Sequence, residues 1–143
     1  MKGALEAIQR FESDQHLFLI AKANYADLTS AVGGFRQQLE ERGAAGQDGA
    51  MLIRFDLNRR LLNYLASVRC FLDQTVSVLS RRYGKTSEPY NAFRRATNAE
   101  YDTHFHYRFA DDLRNYVQHY GFGIDHISAS VEIDEAGNRS ASL

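Results

Sequence analysis

The apolar residues of the chain recur mainly at helical spacing. Between Ala50 and Arg82 they follow one another in steps of three and four, which places them on one side of a long helix. This stripe consists of Leu57, Leu61, Leu65, Val68, Leu72, Thr75 with Val76, and Leu79. Arg81 and Arg82 suit the negative end of the helix dipole, and Gly84 predicts the end of the helix.

Similar spacing predicts further helices on both sides of this long one. Residues 5–15 and 17–39 are helical in pattern, and Gly33 with Gly34 offers a point for a bend. A glycine-rich cluster at 43–49 predicts a turn. Ser87 with Pro89 predicts the start of a short helix that reaches Tyr101. A last helix is expected over 103–120, ended by Gly121.

The period changes from helical to alternating in the tail. The alternating apolar residues are Ile127, Ala129, Val131 and Ile133. The turn-forming run 134–138 follows them, so the pattern predicts a hairpin. An isolated hairpin is only marginally stable, so this one must pack on the helices, pair with a partner, or begin a larger element.

Together these patterns predict a mainly α fold. We expect an up-and-down bundle of four to five helices over residues 1–123, and a small C-terminal β-hairpin, as an appendage or the start of a further element, over 124–143. A length of 143 residues with 44% hydrophobic content fits one domain with its own core.

Charge and cysteine content narrow the function classes. The net charge of −1 excludes a polyanion binder held by overall charge, but not a local basic site. The basic pairs Arg59-Arg60, Arg81-Arg82 and Arg94-Arg95 are either phosphate contacts or solvated helix faces. Cys70 is the one cysteine, and the apolar run 17–21 is too short to cross a bilayer. We therefore expect a cytoplasmic protein with no membrane partner.

The last predicted helix has two unlike faces. On a helical wheel the expected core side holds His106, Phe109, Ala110, Leu113, Val117 and Tyr120. The opposite stripe holds His104, Arg108, Asp111, Asn115 and His119, with Arg114 between the two sides. Histidine is suited to proton transfer near neutral pH, and arginine to binding phosphate. The stripe is therefore either a site for phosphate chemistry or an ordinary solvated face.

The run from Arg114 to His119 resembles the motif of the HEPN superfamily (higher eukaryotes and prokaryotes nucleotide-binding domains). That motif is an arginine, commonly followed by a polar residue, with a histidine four to six residues beyond, on a late helix of a small α bundle. Arg114, Asn115 and His119 match it. Some family toxins carry a tyrosine two residues after the histidine; this chain has Gly121 there, so control through that tyrosine is not expected.

The resemblance implies a metal-independent endoribonuclease, a homodimer in which two motifs share one cleft, and no cofactor. In this reading His119 transfers protons, Arg114 holds the phosphate and Asn115 orients His119. From the polar stripe we further predict Arg108 and His104 as substrate-binding residues. The biological expectation is a toxin or defence protein acting on RNA, with an antitoxin protein as a further partner.

One alternative function stays open, and one kind of site is not expected because of the spacing of the histidines. A non-catalytic helical module that binds a nucleotide or a protein partner is the alternative function. A metal site is not expected, because His104 and His106 lie on opposite sides of the helix and no histidine pair has the spacing of metal ligands.

Overall fold

Four helices and a two-stranded hairpin make up the part of the chain that the computed structural model describes, which is residues 2–42, 46–128, 130–134, 136–137 and 139–142. The helices are α1 (Lys2–Arg42), α2 (Gln47–Tyr83), α3 (Glu88–Thr103) and α4 (Phe105–His119). The strands are β1 (Ser130–Ile133) and β2 (Arg139–Ser142). The predicted mainly α bundle with a C-terminal hairpin is confirmed.

Helix α1 is continuous where the sequence pattern indicated two helical segments. Gly33 and Gly34 lie inside it, and a side chain added at either glycine would meet nothing within 4 Å. No packing therefore forces a break at this point. The predicted turn at 43–49 lies partly outside the described residues, which omit Gly43, Ala44 and Ala45. Among the described helices, none combines the length and the apolarity needed to cross a membrane.

Helix α2 is the element that the other helices share. It contacts α1, α3 and α4. Its predicted stripe is confirmed, because Leu57 and Leu65 are buried and the other members are partly covered. Ring pairs join it to α1: the centroids of Phe18 and Phe71 are 5.6 Å apart and those of Tyr25 and Tyr64 are 5.5 Å apart. Burial of the apolar stripe is thus the main force that assembles the bundle.

A charged cluster also connects α1 to α2. Arg60 on α2 pairs with Asp27 of α1 at 2.8 Å and with Asp56 of its own helix at 2.8 Å. Arg59 donates a second hydrogen bond to Asp56 at 2.6 Å. These hydrogen bonds, chiefly the one from Arg60, lower the pKa of the Asp56 carboxyl below its usual value.

The turn between α2 and α3 lies where the sequence predicted it, but the Ser87 side chain makes no cap hydrogen bond to α3. Gly84 has a φ of 88°, a left-handed backbone that favours glycine, and its N–H donates to the Ser80 carbonyl. Ser87 is the N-cap residue of α3, and its hydroxyl donates to the Gly84 carbonyl at 2.7 Å. Pro89 lies in the first turn of α3, where its missing N–H is not needed.

The segment after α4 is fixed to α2 by one buried asparagine. Asn58 is only 4% exposed. Its Nδ2 donates to the Ile124 carbonyl at 2.9 Å, and its Oδ1 accepts from the Ile124 N–H at 2.9 Å. Arg54 donates to the neighbouring Asp125 carbonyl at 2.8 Å. At Gly123 an added Cβ would lie 3.0 Å from the Leu61 side chain and 3.2 Å from that of Val117, so a larger residue there would require these side chains to shift.

The hairpin is stabilised by packing on α1. Its strands are antiparallel, with Val131 opposite Ala141. Ala141 is 2% exposed, and its N–H donates to Oε1 of Glu40 on α1 at 3.1 Å. Residues 129, 135, 138 and 143 of the predicted hairpin lie outside the described residues.

We expect Asn58→Ala to lower the free energy of unfolding by about 1–3 kcal/mol, because the partly buried N–H and carbonyl of Ile124 lose their partner. Urea unfolding followed by circular dichroism measures this. Asn63→Ala, on the exposed side of the same helix, is the matched control. Equal stability of Asn58→Ala and wild type would show that the asparagine does not hold the segment.

Acid should weaken the ion pairs that Asp56 forms with Arg59 and Arg60 on α2. A carboxyl whose pKa is lower in the folded chain stabilises the fold above its unfolded pKa, and that contribution is lost as the pH falls through the folded pKa. We therefore expect Asp56→Asn to destabilise the protein at pH 7 by under about 1 kcal/mol, since the side chain is 29% exposed, and we expect this effect to decrease as the pH falls below about 4. Urea unfolding of both proteins at pH 7 and pH 3 tests this; an equal difference at both pH values would contradict it.

Candidate functional site

Helix α4 is turned differently on α2 from what its wheel predicted. Phe109 and Tyr120, expected in the core, are 53% and 80% exposed, and His106 is exposed. The residues of α4 that are partly buried are Tyr107, Arg108, Ala110, Asp111, Leu113, Arg114 and Val117. At ~100° per residue, this contact face is rotated by roughly 70° toward the polar stripe. The predicted core side was therefore wrong for three residues.

This rotation places polar side chains in a cavity between α2 and the α3–α4 corner. The cavity has a volume of about 380 Å³. The side chains that line it are Tyr64, Leu65, Val68, Arg69, Leu72, Glu100, His104, His106, Tyr107, Ala110, Asp111 and Arg114. A cleft of this size, with apolar walls and a few charged groups, is typical of a small-molecule site.

Arg114 lies at the centre of the α4 face that meets α2. Its Nη1 donates to Oδ1 of Asn115 at 3.1 Å. Its Nε is buried and has no hydrogen-bond partner among the described residues. A buried donor without a partner costs about 1–3 kcal/mol, and more on a charged group. The guanidinium therefore retains an unmet capacity to bind an acceptor.

His119 lies on a different side of α4 from Arg114. It is exposed in the last turn of the helix, and its ring contacts that of Tyr120 at 6.3 Å between centroids. Five positions separate it from Arg114, which corresponds to ~140° around the helix. The structure thus brings together Arg114 and Asn115, whereas His119 lies apart from the cavity of its own chain.

His104 lies at the cavity, at the corner between α3 and α4. It is the N-cap residue of α4, and its N–H donates to the Glu100 carbonyl. Its Nε2 lies 3.4 Å from Oε2 of Glu100. The predicted substrate residue is therefore in reach of a ligand in the cavity.

Arg108 has a partner within the fold. Its Nη1 donates to the carbonyls of Tyr101 and Asp102, at 3.1 and 2.8 Å. These carbonyls belong to the last turn of α3, where a cation also suits the helix dipole. Arg108 is not among the residues that line the cavity. The side chain thus joins α3 to α4, and this contact accounts for its position without a substrate.

Sequence reasoning missed Arg69, the charged residue that α2 contributes. Arg69 lines the cavity and pairs with Asp73 at 2.9 Å and with Asp111 at 3.7 Å. Its spacing from Leu65 and Leu72 matches the apolar stripe, so a charged residue on the buried face was the available signal. Tyr64 and Tyr107 also line the cavity, and burial raises the pKa of both hydroxyls.

The basic pairs are largely engaged within the fold. Arg59 and Arg60 pair with Asp56, and Arg95 pairs with Glu88 at 2.6 Å. The Arg82 guanidinium lies 5.3 Å from the Tyr83 ring centre. Pairing of this kind is typical of solvated helix faces and not of a prepared phosphate track.

An aromatic face of α4 points away from the bundle. Its members are Phe105, Phe109, Tyr116 and Tyr120, all exposed. They stack in pairs one helical turn apart, with centroid distances of 5.9 Å for Phe105–Phe109 and 5.8 Å for Tyr116–Tyr120. Two such pairs of exposed large aromatic side chains on one side of a helix mark an interaction surface.

No cluster of three or more metal-ligating side chains occurs among the described residues. Comparison with protein-family models, with curated proteins and with solved structures gave no match for this chain.

We expect Arg108→Ala to lower the free energy of unfolding by about 1 kcal/mol, because it removes the hydrogen bonds that join α4 to the end of α3. Thermal unfolding followed by circular dichroism measures this. Arg81→Ala, an exposed arginine on α2, is the control. Unchanged stability of Arg108→Ala, together with loss of RNA binding, would instead assign Arg108 to the substrate.

Proposed function

We propose that this protein is a metal-independent endoribonuclease whose active cleft forms between two copies of the chain. The observation that carries the proposal is the half-buried Arg114, whose Nε has no partner among the described residues and whose guanidinium lines a cavity beside Asn115. The resemblance of Arg114, Asn115 and His119 to the HEPN motif gives the reaction.

The need for two copies follows from the separation of the two key side chains. Arg114 lines the cavity, whereas His119 is exposed on another side of the same helix. A two-fold axis beside α4 would place the motif of the second copy near the RNA phosphate that the first copy binds. The aromatic face of α4 supplies apolar surface for such a contact.

The proposed reaction is attack of an RNA 2′-hydroxyl on the adjacent phosphorus. A bond forms from the 2′-oxygen to phosphorus, the bond to the 5′-oxygen breaks, and the products are a 2′,3′-cyclic phosphate and a 5′-hydroxyl. His119 moves a proton at the attacking or leaving oxygen. Arg114 neutralises the extra negative charge of the transition state. Asn115 holds the Arg114 guanidinium rather than the His119 imidazole, because its Oδ1 accepts from Nη1.

The biological context of the proposal follows from the resemblance alone. An enzyme of this kind acts on RNA in the cytoplasm, as a toxin or as a defence protein. An antitoxin protein that covers the exposed aromatic face of α4 or the cavity would then control it.

A second function is favoured by the geometry of a single chain. Arg114, Arg69 and His104 already meet at one cavity, and no second copy is needed to form it. A non-catalytic module that binds a nucleotide there uses Arg114 but not His119. The role of His119 therefore distinguishes the two functions.

We expect the purified protein to cleave single-stranded RNA in EDTA, and Arg114→Ala and His119→Ala each to reduce the rate at least about 100-fold, the scale of losing one acid–base or charge-stabilising group. Gel analysis of a labelled RNA, with detection of the cyclic phosphate end, measures the reaction. His16→Ala, a histidine of α1 far along the chain from the motif, is the control for His119→Ala.

The outcome for His119→Ala decides between the two functions. If wild type cleaves no RNA, and a nucleotide binds equally well to wild type and His119→Ala but not to Arg114→Ala, the protein is a binding module. Circular dichroism of each variant establishes that the helices are intact, so that loss of activity reports on the site.

A further inference from the structure

The cavity beside Arg114 has the lining of a site for a flat molecule. Leu65, Val68 and Ala110 form its apolar wall, and the rings of Tyr64 and Tyr107 border it. Its volume of about 380 Å³ suits a ligand of the size of a single nucleotide. Stacking on aromatic rings is the usual way in which a protein holds an unpaired base.

The charged groups of the cavity include both signs. Arg69 and Arg114 are cationic, whereas Glu100 and Asp111 are anionic. A simple anion meets repulsion from the carboxylates, and a simple cation meets repulsion from the guanidinium groups. The lining therefore matches a ligand that is anionic at one end and donates hydrogen bonds at the other.

Asp111 is the carboxylate best able to accept from such a ligand. Its Oδ1 lies 3.7 Å from Nη1 of Arg69, which is too long for a hydrogen bond. Arg69 donates from Nε to Asp73 at 2.9 Å instead. No hydrogen bond to the Asp111 carboxylate occurs within the described residues, and its side chain is only partly exposed.

Arg114 lies three residues beyond Asp111, one turn along the same face of α4. Its guanidinium has an unmet donor, and a phosphate is the group that an arginine fork binds best. A phosphate at Arg114 and a base near Asp111 thus span the cavity in the order in which a nucleotide carries them.

We propose that this cavity binds one nucleotide whose base carries an exocyclic amino group, with Asp111 accepting from the base and Arg114 holding its phosphate. The inference rests on the proposed function, because it names the base next to the phosphate that Arg114 binds. Adenine, cytosine and guanine each present an amino group to a carboxylate. Uracil presents its one N–H between two carbonyl oxygens, which a carboxylate repels.

The test is calorimetric binding of the four nucleoside 3′-monophosphates to the wild-type protein. We expect the uridine nucleotide to bind about tenfold more weakly than the best of the other three, the scale of one well-formed polar contact to a base. Asp111→Asn should weaken binding of that best nucleotide about tenfold. It should also reduce the difference in affinity between that nucleotide and the uridine nucleotide. Asp112→Asn is the matched control, since it removes the same charge from the neighbouring exposed residue.

A second variant tests the cavity by volume instead of charge. Ala110→Leu adds side-chain bulk to the wall and leaves Asp111 and Arg114 in place, so we expect it to weaken binding of all four nucleotides. Circular dichroism and thermal unfolding check that both variants fold. Equal binding of all four nucleotides, no effect of Asp111→Asn, or no binding at all would overturn the inference.

The result is separable from the outcome of the cleavage assay. Cleavage of RNA, together with equal affinities for the four nucleotides, would support the nuclease and contradict the base site. The expected order of nucleotide affinities, without cleavage of RNA, would establish the base site and leave the protein as a nucleotide-binding module.

Discussion

The position of α4 depends on the hydrogen bonds between Asn58 and the backbone of Ile124. The buried amide donates to the carbonyl and accepts from the N–H of the same residue, as the backbone of a neighbouring strand does. It thereby fixes the segment after α4 to the middle of α2. Gly123 lies beside it, close to Leu61 and Val117. With its C-terminal end held there and its N-terminal end joined to α3 by Arg108, helix α4 can present only one face to α2. That face includes Arg114.

Features set by local chemistry were predictable from the sequence. The stripe of α2 required only a count of steps of three and four, because a long helix at the centre of a bundle buries one continuous side. Ser87 and Pro89 marked the start of α3, since cap and first-turn preferences act within a few residues. The alternating tail predicted the hairpin, but its support by Glu40 of α1 was out of reach, because the two segments are distant in the chain.

The rotation of α4 was not predictable in the same way. Periodicity tells which residues share a face, but not which face a neighbouring helix covers. Phe109 and Tyr120 are apolar or partly so, and yet the anchors at both ends of α4 turn them outward. The motif resemblance identified Arg114, which lines the cavity, and Asn115, which accepts a hydrogen bond from it. Arg69 and Tyr64 come from a distant helix and could be placed at the cavity only by the fold.

Helix α4 leaves two requirements unmet in the single chain. The Arg114 guanidinium lacks an acceptor for a buried donor, and the aromatic face of α4 lacks a cover. An anion alone satisfies the first requirement, and a second protein surface alone satisfies the second. The two requirements lie on opposite sides of one short helix, because the aromatic face points away from the bundle whereas the cavity lies between α4 and α2. In the proposed ribonuclease, an RNA phosphate would meet the first requirement and the second copy of the chain would meet the second.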